Sequence, residues 1–278
     1  MADQLTISDG TATVVTEEGR RIQGTESDLI EMIRRDIEAP LNGAALPDGV
    51  KFPPDWRDPI MIVVHQHTPH LRRLRWIAGD SPAPKGPNAK YKTVRISLPY
   101  VTTFAVFCYR AEQLHLVGNN EIYFSNQPLK SRNDRLCFPA LLNVTIAQNA
   151  GRQRTGICTG PLPGINTGWV DGLDALLDRI WNGSFNLSCS QSSYTDSKGI
   201  HPDLHPIEKW EEASARDELF ALSIAWKPCP MSVGEIVEAI FAEMMPRFVR
   251  HRQAVPTPSL SLERRFVNYA QRNRRAGG

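Results

Sequence analysis

An α+β fold is predicted, an antiparallel meander sheet flanked by helices, from three observations. Short β-prone runs follow one another between residues 94 and 124 with only turn-length spacers. Helical periodicity is strongest after Trp169. Between them lies a stretch, 136–168, rich in proline and glycine, where neither period persists.

The elements follow in order. Residues 1–24 alternate β-prone residues with the turn pairs Asp9-Gly10 and Glu18-Gly19, which predicts a small meander. Residues 25–37 read as a helix, with Leu29, Ile30, Ile33 and Ile37 on one face and Thr25 and Asp28 as its start. Strands are expected at 60–65 and 71–77, joined around Pro69, and the Pro/Gly-rich stretch 78–90 as a mobile loop. Residues 94–98, 102–109 and 113–117 read as consecutive strands with short turns, and 121–124 as one more. The run 102–109 is apolar almost throughout, so both its faces should be covered. Residues 136–168 are expected to be irregular but packed, because Phe138, Leu141, Leu142, Val144, Ile146 and Ile157 argue against disorder.

Regular structure should resume at Trp169, with Leu173, Leu176, Leu177 and Ile180 on one helical face and Asn182-Gly183 as the stop. A polar loop at 189–205 and a helix at 207–226 anchored by Trp210 and Phe220 come next. Ser232 and Glu235 form a capping box that opens a further helix, and 260–272 gives a last helical hint. The chain thus divides into an N-terminal extension (1–90: small meander, helix, first strands), a core (91–190), C-terminal helices (191–246) and a basic tail (247–278).

Composition narrows the function classes. Of 278 residues, 41% are hydrophobic and 22% charged, which supplies a core and excludes disorder over most of the length. The longest apolar runs, 60–64 and 104–109, are far short of the ~20 residues a spanning helix needs, so no membrane association is expected. Met1-Ala2-Asp3-Gln4 has neither a basic start nor an apolar stretch, so no secretory signal is read and a cytoplasmic location is expected. The net charge of +2 conceals an asymmetry, since Pro246 to Gly278 holds eight arginines against Glu263 alone. With no aromatic series beyond Phe266 and Tyr269, that tail predicts a solvated basic segment rather than a nucleic-acid site.

Five cysteines, Cys108, Cys137, Cys158, Cys189 and Cys229, form no CxxC pair and read as reduced thiols. Cys158 stands apart, flanked by Gly156 and Gly160, with Arg152 and Arg154 upstream. Glycines let another backbone approach closely, and nearby guanidinium groups would favour the thiolate. The competing reading is a small buried thiol. His65, His67 and His70, with His201 and His205, contain the residue type a zinc site needs, but His65 and His67 alternate on a strand and Pro69 precedes His70, so ordinary strand and loop histidines are expected and no metal or other cofactor. The terminal Gly277-Gly278 is read as chance.

The order of motifs resembles the ubiquitin-conjugating enzyme superfamily, and within it the divergent bacterial branch that includes the PRTRC system B proteins. The residues that carry the resemblance are Arg135-Leu136-Cys137-Phe138-Pro139, Asn143-Val144, Gly156-Ile157-Cys158-Thr159-Gly160, Trp169 and the helix after it, with Gly183-Ser184-Phe185-Asn186 and the upstream Leu46-Pro47-Asp48-Gly49-Val50 as looser matches. Phe138 stands where the superfamily has histidine, and Asn143 lies 15 positions before Cys158, a longer gap than usual.

The resemblance implies a ubiquitin-conjugating-enzyme-like core. It implies an acyltransferase that carries the C-terminus of a ubiquitin-like protein as a thioester on Cys158. The oxyanion donor would be Asn143, otherwise a plain turn former, or a backbone N–H of the Gly156–Gly160 turn, and Asp171 and Asp174 are candidates for holding the incoming amine. By the same analogy its partners would be a ThiF-type activating enzyme, a ubiquitin-like protein and a JAB-type peptidase, in a bacterial plasmid or antiviral defence system. Two alternatives remain at this point: a catalytically inactive scaffold of the same fold, and a cysteine hydrolase pairing Cys158 with His201 or His205.

Overall fold

A computed structural model describes residues 4–8, 11–15, 21–25, 46–110, 113–118, 120–149, 151–159, 168–187 and 191–254. The chain divides into two compact units, one of residues 1–45 with 246–278 and one running from Leu46 to Met245. In the first, β1 (Gln4–Ser8), β2 (Thr11–Val15) and β3 (Arg21–Thr25) form the expected antiparallel meander. The helices read at 25–37 and 260–272 lie outside the described residues.

The second unit is built on one long hairpin. Strands β5 (Ile60–His67) and β6 (His70–Ile77) are two halves of one arm, and β7 (Tyr91–Leu98) and β8 (Tyr100–Arg110) are two halves of the other. The pairing runs Ile60↔Cys108 to His67↔Val101, then His70↔Leu98 to Ile77↔Tyr91, in a single register carried through the bend. Pro99 therefore bends a continuing strand and does not reverse the chain, which corrects the expected turn between 98 and 102. The stretch 78–90 is the hairpin's tip. The division drawn at residue 90 falls at that tip, so the strands before it are hydrogen-bonded to those after it within one unit.

Below the bend the sheet widens to β15-β11-β10-β8-β5-β4, with β9 (Gln113–Leu116) also on β8. Its remaining strands are β4 (Asp55–Arg57), β10 (Glu121–Ser125), β11 (Arg135–Cys137) and β15 (Pro228–Ser232). The central strand β8 is buried from Val101 to Cys108, on both faces, as its sequence predicts. Above the bend, β14 (Ser184–Phe185) adds in parallel to β6.

The stretch 136–168 contains more order than its composition suggests. Residues 144–157 are a hairpin of β12 (Val144–Asn149) and β13 (Arg152–Ile157), turned at Gly151, whose φ of +79° suits glycine. Residues 138–143 do lack regular structure. Their backbone is held instead by Ser193, whose Oγ both accepts from Leu141 N and donates to Leu141 O, and by Lys227 O, which accepts from Phe138 N.

Helix α1 (Trp169–Trp181) buries Leu173, Leu176, Leu177 and Ile180 as its period predicts. Gly183 is needed just beyond it, since a Cβ there would lie 2.7 Å from Arg179 O. The expected loop at 189–205 contains a short helix, α2 (Ser193–Asp196), and two 3-10 turns. The helix expected at 207–226 is shorter: α3 (Ile207–Arg216) stops where Asp217 turns extended, and Phe220–Ser223 is a 3-10 turn. Helix α3 seals the open edge of β7, because Glu211 and Ser214 accept the N–H groups of Arg95 and Ser97. Trp210, fully buried, donates to Ser97 O. The capping box forms as read at the start of α4 (Val233–Ala254), with Ser232 and Glu235 bonded reciprocally. Among the described residues no helix is long and apolar enough to cross a membrane.

One backbone position gives a sharp test of this packing. Gly49 has φ +77°, and a Cβ there would come within 2.3 Å of the buried His65 ring. Gly49→Ala is expected to destabilise the protein by about 2–4 kcal/mol, measurable by urea denaturation, from the left-handed backbone and the displaced ring together.

Histidines cluster where the hairpin bends. The His65 and His67 rings lie 4.5 Å apart, and His70 is 5.8 Å from His67. Arg72 donates to His70 Nε2 at 3.2 Å and stacks over Trp181. Burial, the neighbouring histidines and Arg72 hold His67 down to about 3. Burial also lowers His65, against the pull of Asp174 and Asp48, and lowers His70. Because the folded value lies below the unfolded one of about 6.5, the stabilisation is full above pH 6.5 and is lost as pH falls toward 3. The melting temperature is expected to stay level from pH 8 to 6.5 and fall progressively below it. His67→Gln should flatten part of that fall in a calorimetric pH series.

Candidate functional site around Cys158

Four cysteines lie among the described residues, and their settings differ. Cys108 and Cys229 are buried, and Cys137 is half-buried. Burial pushes the Cys137 thiol up and the Cys229 thiol to about 11, so both are poor nucleophiles at neutral pH. Cys158 is exposed. Cys189 and Gly160 lie outside the described residues.

The hairpin places Cys158 opposite Asn143. The ladder runs Asn149↔Arg152 to Val144↔Ile157, and one step beyond it Cys158 N donates to Asn143 O at 2.8 Å. The fifteen-residue separation in sequence is thus the length of a hairpin, and the two residues face each other at its open end. Sequence reasoning missed this because it read the segment as irregular. The signal was the turn-prone Asn149-Ala150-Gly151 directly after the β-prone run Val144-Thr145-Ile146.

The Asn143 side chain is engaged elsewhere. Its Nδ2 donates to Ser184 O at 2.9 Å and its Oδ1 accepts from Asn186 N at 3.0 Å. The amide therefore ties the end of β14 to the end of the 138–143 crossing, and one Nδ2 hydrogen has no assigned acceptor.

The arginines upstream are not beside the sulfur. Arg152 Nη1 lies 3.9 Å from Met231 Sδ, and Arg154 is buried in an ion pair with Glu121 while also bonding Glu243 at 3.2 Å. The guanidinium that reaches the cysteine segment is that of Arg179, from the last turn of α1, whose Nε donates to Thr159 O at 2.8 Å. Sequence reasoning did not name Arg179, which reaches this segment from twenty positions away in the chain.

Asp171 sits exposed in the first turn of α1, eight residues before Arg179 and so ~12 Å away along the helix axis. No contact joins it to Cys158. Asp174 faces the hairpin bend instead, where its charge acts on His65.

A buried network fastens β13 to β10. Tyr123 Oη donates to Glu121 Oε2 at 2.6 Å and accepts from Thr155 N, Thr155 Oγ1 accepts from Ile122 N, and Asn120 O accepts from Ile157 N at 3.2 Å. Burial pushes Glu121 up, while Arg154 and Tyr123 pull the other way. This network holds the strand that ends at Cys158.

His205 Nε2 lies 2.9 Å from Ser197 Oγ, which itself donates to Tyr194 O, and neither it nor His201 bonds Cys158. Among the described residues no group of three or more histidine, cysteine or carboxylate side chains converges in a way that would hold a metal ion. Comparison with family models, curated proteins and solved structures gave no match.

Proposed function

We propose that this chain is a conjugating enzyme for a ubiquitin-like protein, with a ubiquitin-conjugating-enzyme-like core, and that Cys158 carries the modifier's C-terminal acyl group. The observation that supports it is the exposed sulfur at the open end of a hairpin, facing Asn143, with the Arg179 guanidinium one residue away. The motif order around Cys158 points the same way.

In this reading the Cys158 thiolate attacks the acyl carbon delivered by a ThiF-type activating enzyme and forms a thioester. An acceptor nucleophile then attacks that carbon, the C–S bond breaks, and the sulfur leaves as thiolate while the acceptor's proton passes to solvent or a nearby base. The oxyanion formed on the way needs a donor; the free Nδ2 hydrogen of Asn143 can supply one. Asp171 is proposed as the carboxylate that receives the incoming amine, and this requires the amine to approach along α1. A JAB-type peptidase would process the modifier or its conjugates in the same bacterial system, in the cytoplasm.

The engagement of both ends of the Asn143 amide favours a second reading, in which the fold docks the activating enzyme or modifier without chemistry. Incubation with an activating enzyme, its ubiquitin-like substrate and ATP separates the two. The conjugating reading predicts a reductant-sensitive adduct on wild type and none on Cys158→Ala. Partner binding unchanged by that substitution, with no adduct on either protein, supports the scaffold.

A further inference from the structure

Above the bend, the sheet β14-β6-β7 packs one face on the core and leaves the other open. Leu74, Trp76, Val94 and Ile96 are buried, so Arg73, Arg75, Thr93 and Arg95, which alternate with them, point outward and are exposed. The register sets Arg73 directly opposite Arg95, and Arg75 opposite Thr93. Two arginines thus face each other with Cα atoms about 5 Å apart, and a third stands about 7 Å along β6. Like charges directly opposite in a ladder are destabilising. The chain's own carboxylates do little to offset this. Arg95 has a solvent-exposed pairing with Glu218 at 3.7 Å, and among the described residues Arg73 and Arg75 have no carboxylate partner. On the other strand surfaces Arg57 and Lys92 do have one, Glu238 and Glu208.

The same face carries an aromatic ring held in place. The Arg75 guanidinium lies over Tyr91, 4.6 Å from the ring centroid, and Tyr91 Oη accepts from Asn186 Nδ2 at 3.1 Å. Aromatic rings and guanidinium planes are the surfaces on which unpaired nucleobases stack, and an arginine fork matches a phosphate. Strand addition, the mode that suits an extended acidic peptide, is blocked here. Helix α3 seals the edge of β7, and Asn143 ties down Ser184 and Asn186 at the edge of β14. An anionic partner must therefore lie across the face. We propose that this face binds single-stranded nucleic acid without reading its sequence, with Arg73, Arg75 and Arg95 on the phosphates and a base stacked at the Arg75–Tyr91 pair. The surface is separate from the chemistry proposed for Cys158 and stands whether or not that reading holds.

The test is fluorescence anisotropy of the full chain with labelled oligo(U) and oligo(dT) of about 15 nucleotides, between about 50 and 200 mM salt. Wild type is compared with the triple variant Arg73→Ser, Arg75→Ser, Arg95→Ser. The arginines of the tail are present in both proteins, so the difference between them reads this face. The triple variant should bind at least about tenfold more weakly at low salt, and its slope of log K against log salt should be shallower by about 2, for three phosphates at about 0.7 each. Its melting temperature without ligand should be unchanged or raised, because a like-charge pair is removed. Tyr91→Leu should weaken binding about fivefold or more and leave the salt slope as it is, since stacking releases no counterions. Whichever oligonucleotide binds more tightly names the source, RNA or DNA. Equal affinity and slope for wild type and triple variant, or no saturable binding of either oligonucleotide at low salt, would overturn the proposal. So would poly-L-glutamate binding as tightly as the oligonucleotides with the same loss in the triple variant, which would assign the face to an acidic protein.

Discussion

Arg154→Met is expected to lower stability by about 3–5 kcal/mol, the cost of leaving a buried charge without its partner. The Arg154 side chain is 7% exposed and that of Glu121 3%, so both are largely shielded from water. Methionine fills much of the arginine's volume, which confines the loss to the charge and its hydrogen bonds. Glu121 would keep only the Tyr123 hydroxyl, and burial would raise its pKa further. A raised carboxyl pKa stabilises the fold at acid pH and loses that contribution as pH climbs through the folded value, so the variant's deficit should be smaller near pH 5 than at pH 8. Glu121→Gln in the same chain should restore part of the loss, since it removes the orphaned charge. A double-mutant cycle from denaturant midpoints reads the coupling directly. For a unit of about 200 residues the single variant's melting temperature should drop by about 10 °C.

The second large effect concerns the sulfur itself. Under the proposed function, Cys158→Ser replaces a thioester by an oxygen ester. An alkoxide is a worse leaving group than a thiolate, so transfer to an acceptor should nearly stop while the loaded form accumulates and resists reductant. Loading should slow as well, because a serine hydroxyl is a weaker nucleophile than a cysteine thiolate. The checks are gel mobility with and without dithiothreitol, and single-turnover discharge to free lysine. A serine variant that discharges as fast as wild type would remove Cys158 from the chemistry.

What could be read from residues alone followed the strength of local signals. The amphipathic helix after Trp169, the capping box at Ser232 and the buried run now seen as β8 carry periods or caps that act within a few residues, and all were legible. Pro99 misled because a proline at a strand bend and one at a turn look alike. Only the pairing across 60–108 shows that the arm continues through it. The β12–β13 hairpin was hidden because prolines and glycines on either side dominated its window. Helix α3 ended early because Asp217 adopts an extended conformation, which the apolar residues beyond it mask. At the site, Cys158 was legible from its glycine flanks, and its exposure bears on the choice between a nucleophile and a buried thiol. Its relation to Asn143 depended on a register no spacing rule supplies, and Arg179 reaches Thr159 from twenty residues away in sequence through the packing of α1.

The most direct measurement of the central claim is peptide mapping of the loaded protein. After incubation with an activating enzyme, ATP and a ubiquitin-like protein, digestion under non-reducing, mildly acidic conditions should yield the Cys158 peptide bearing the modifier's C-terminal residues, and dithiothreitol should release it as the free thiol. A modifier found on another cysteine or on a lysine, with the Cys158 peptide unmodified, would contradict the account.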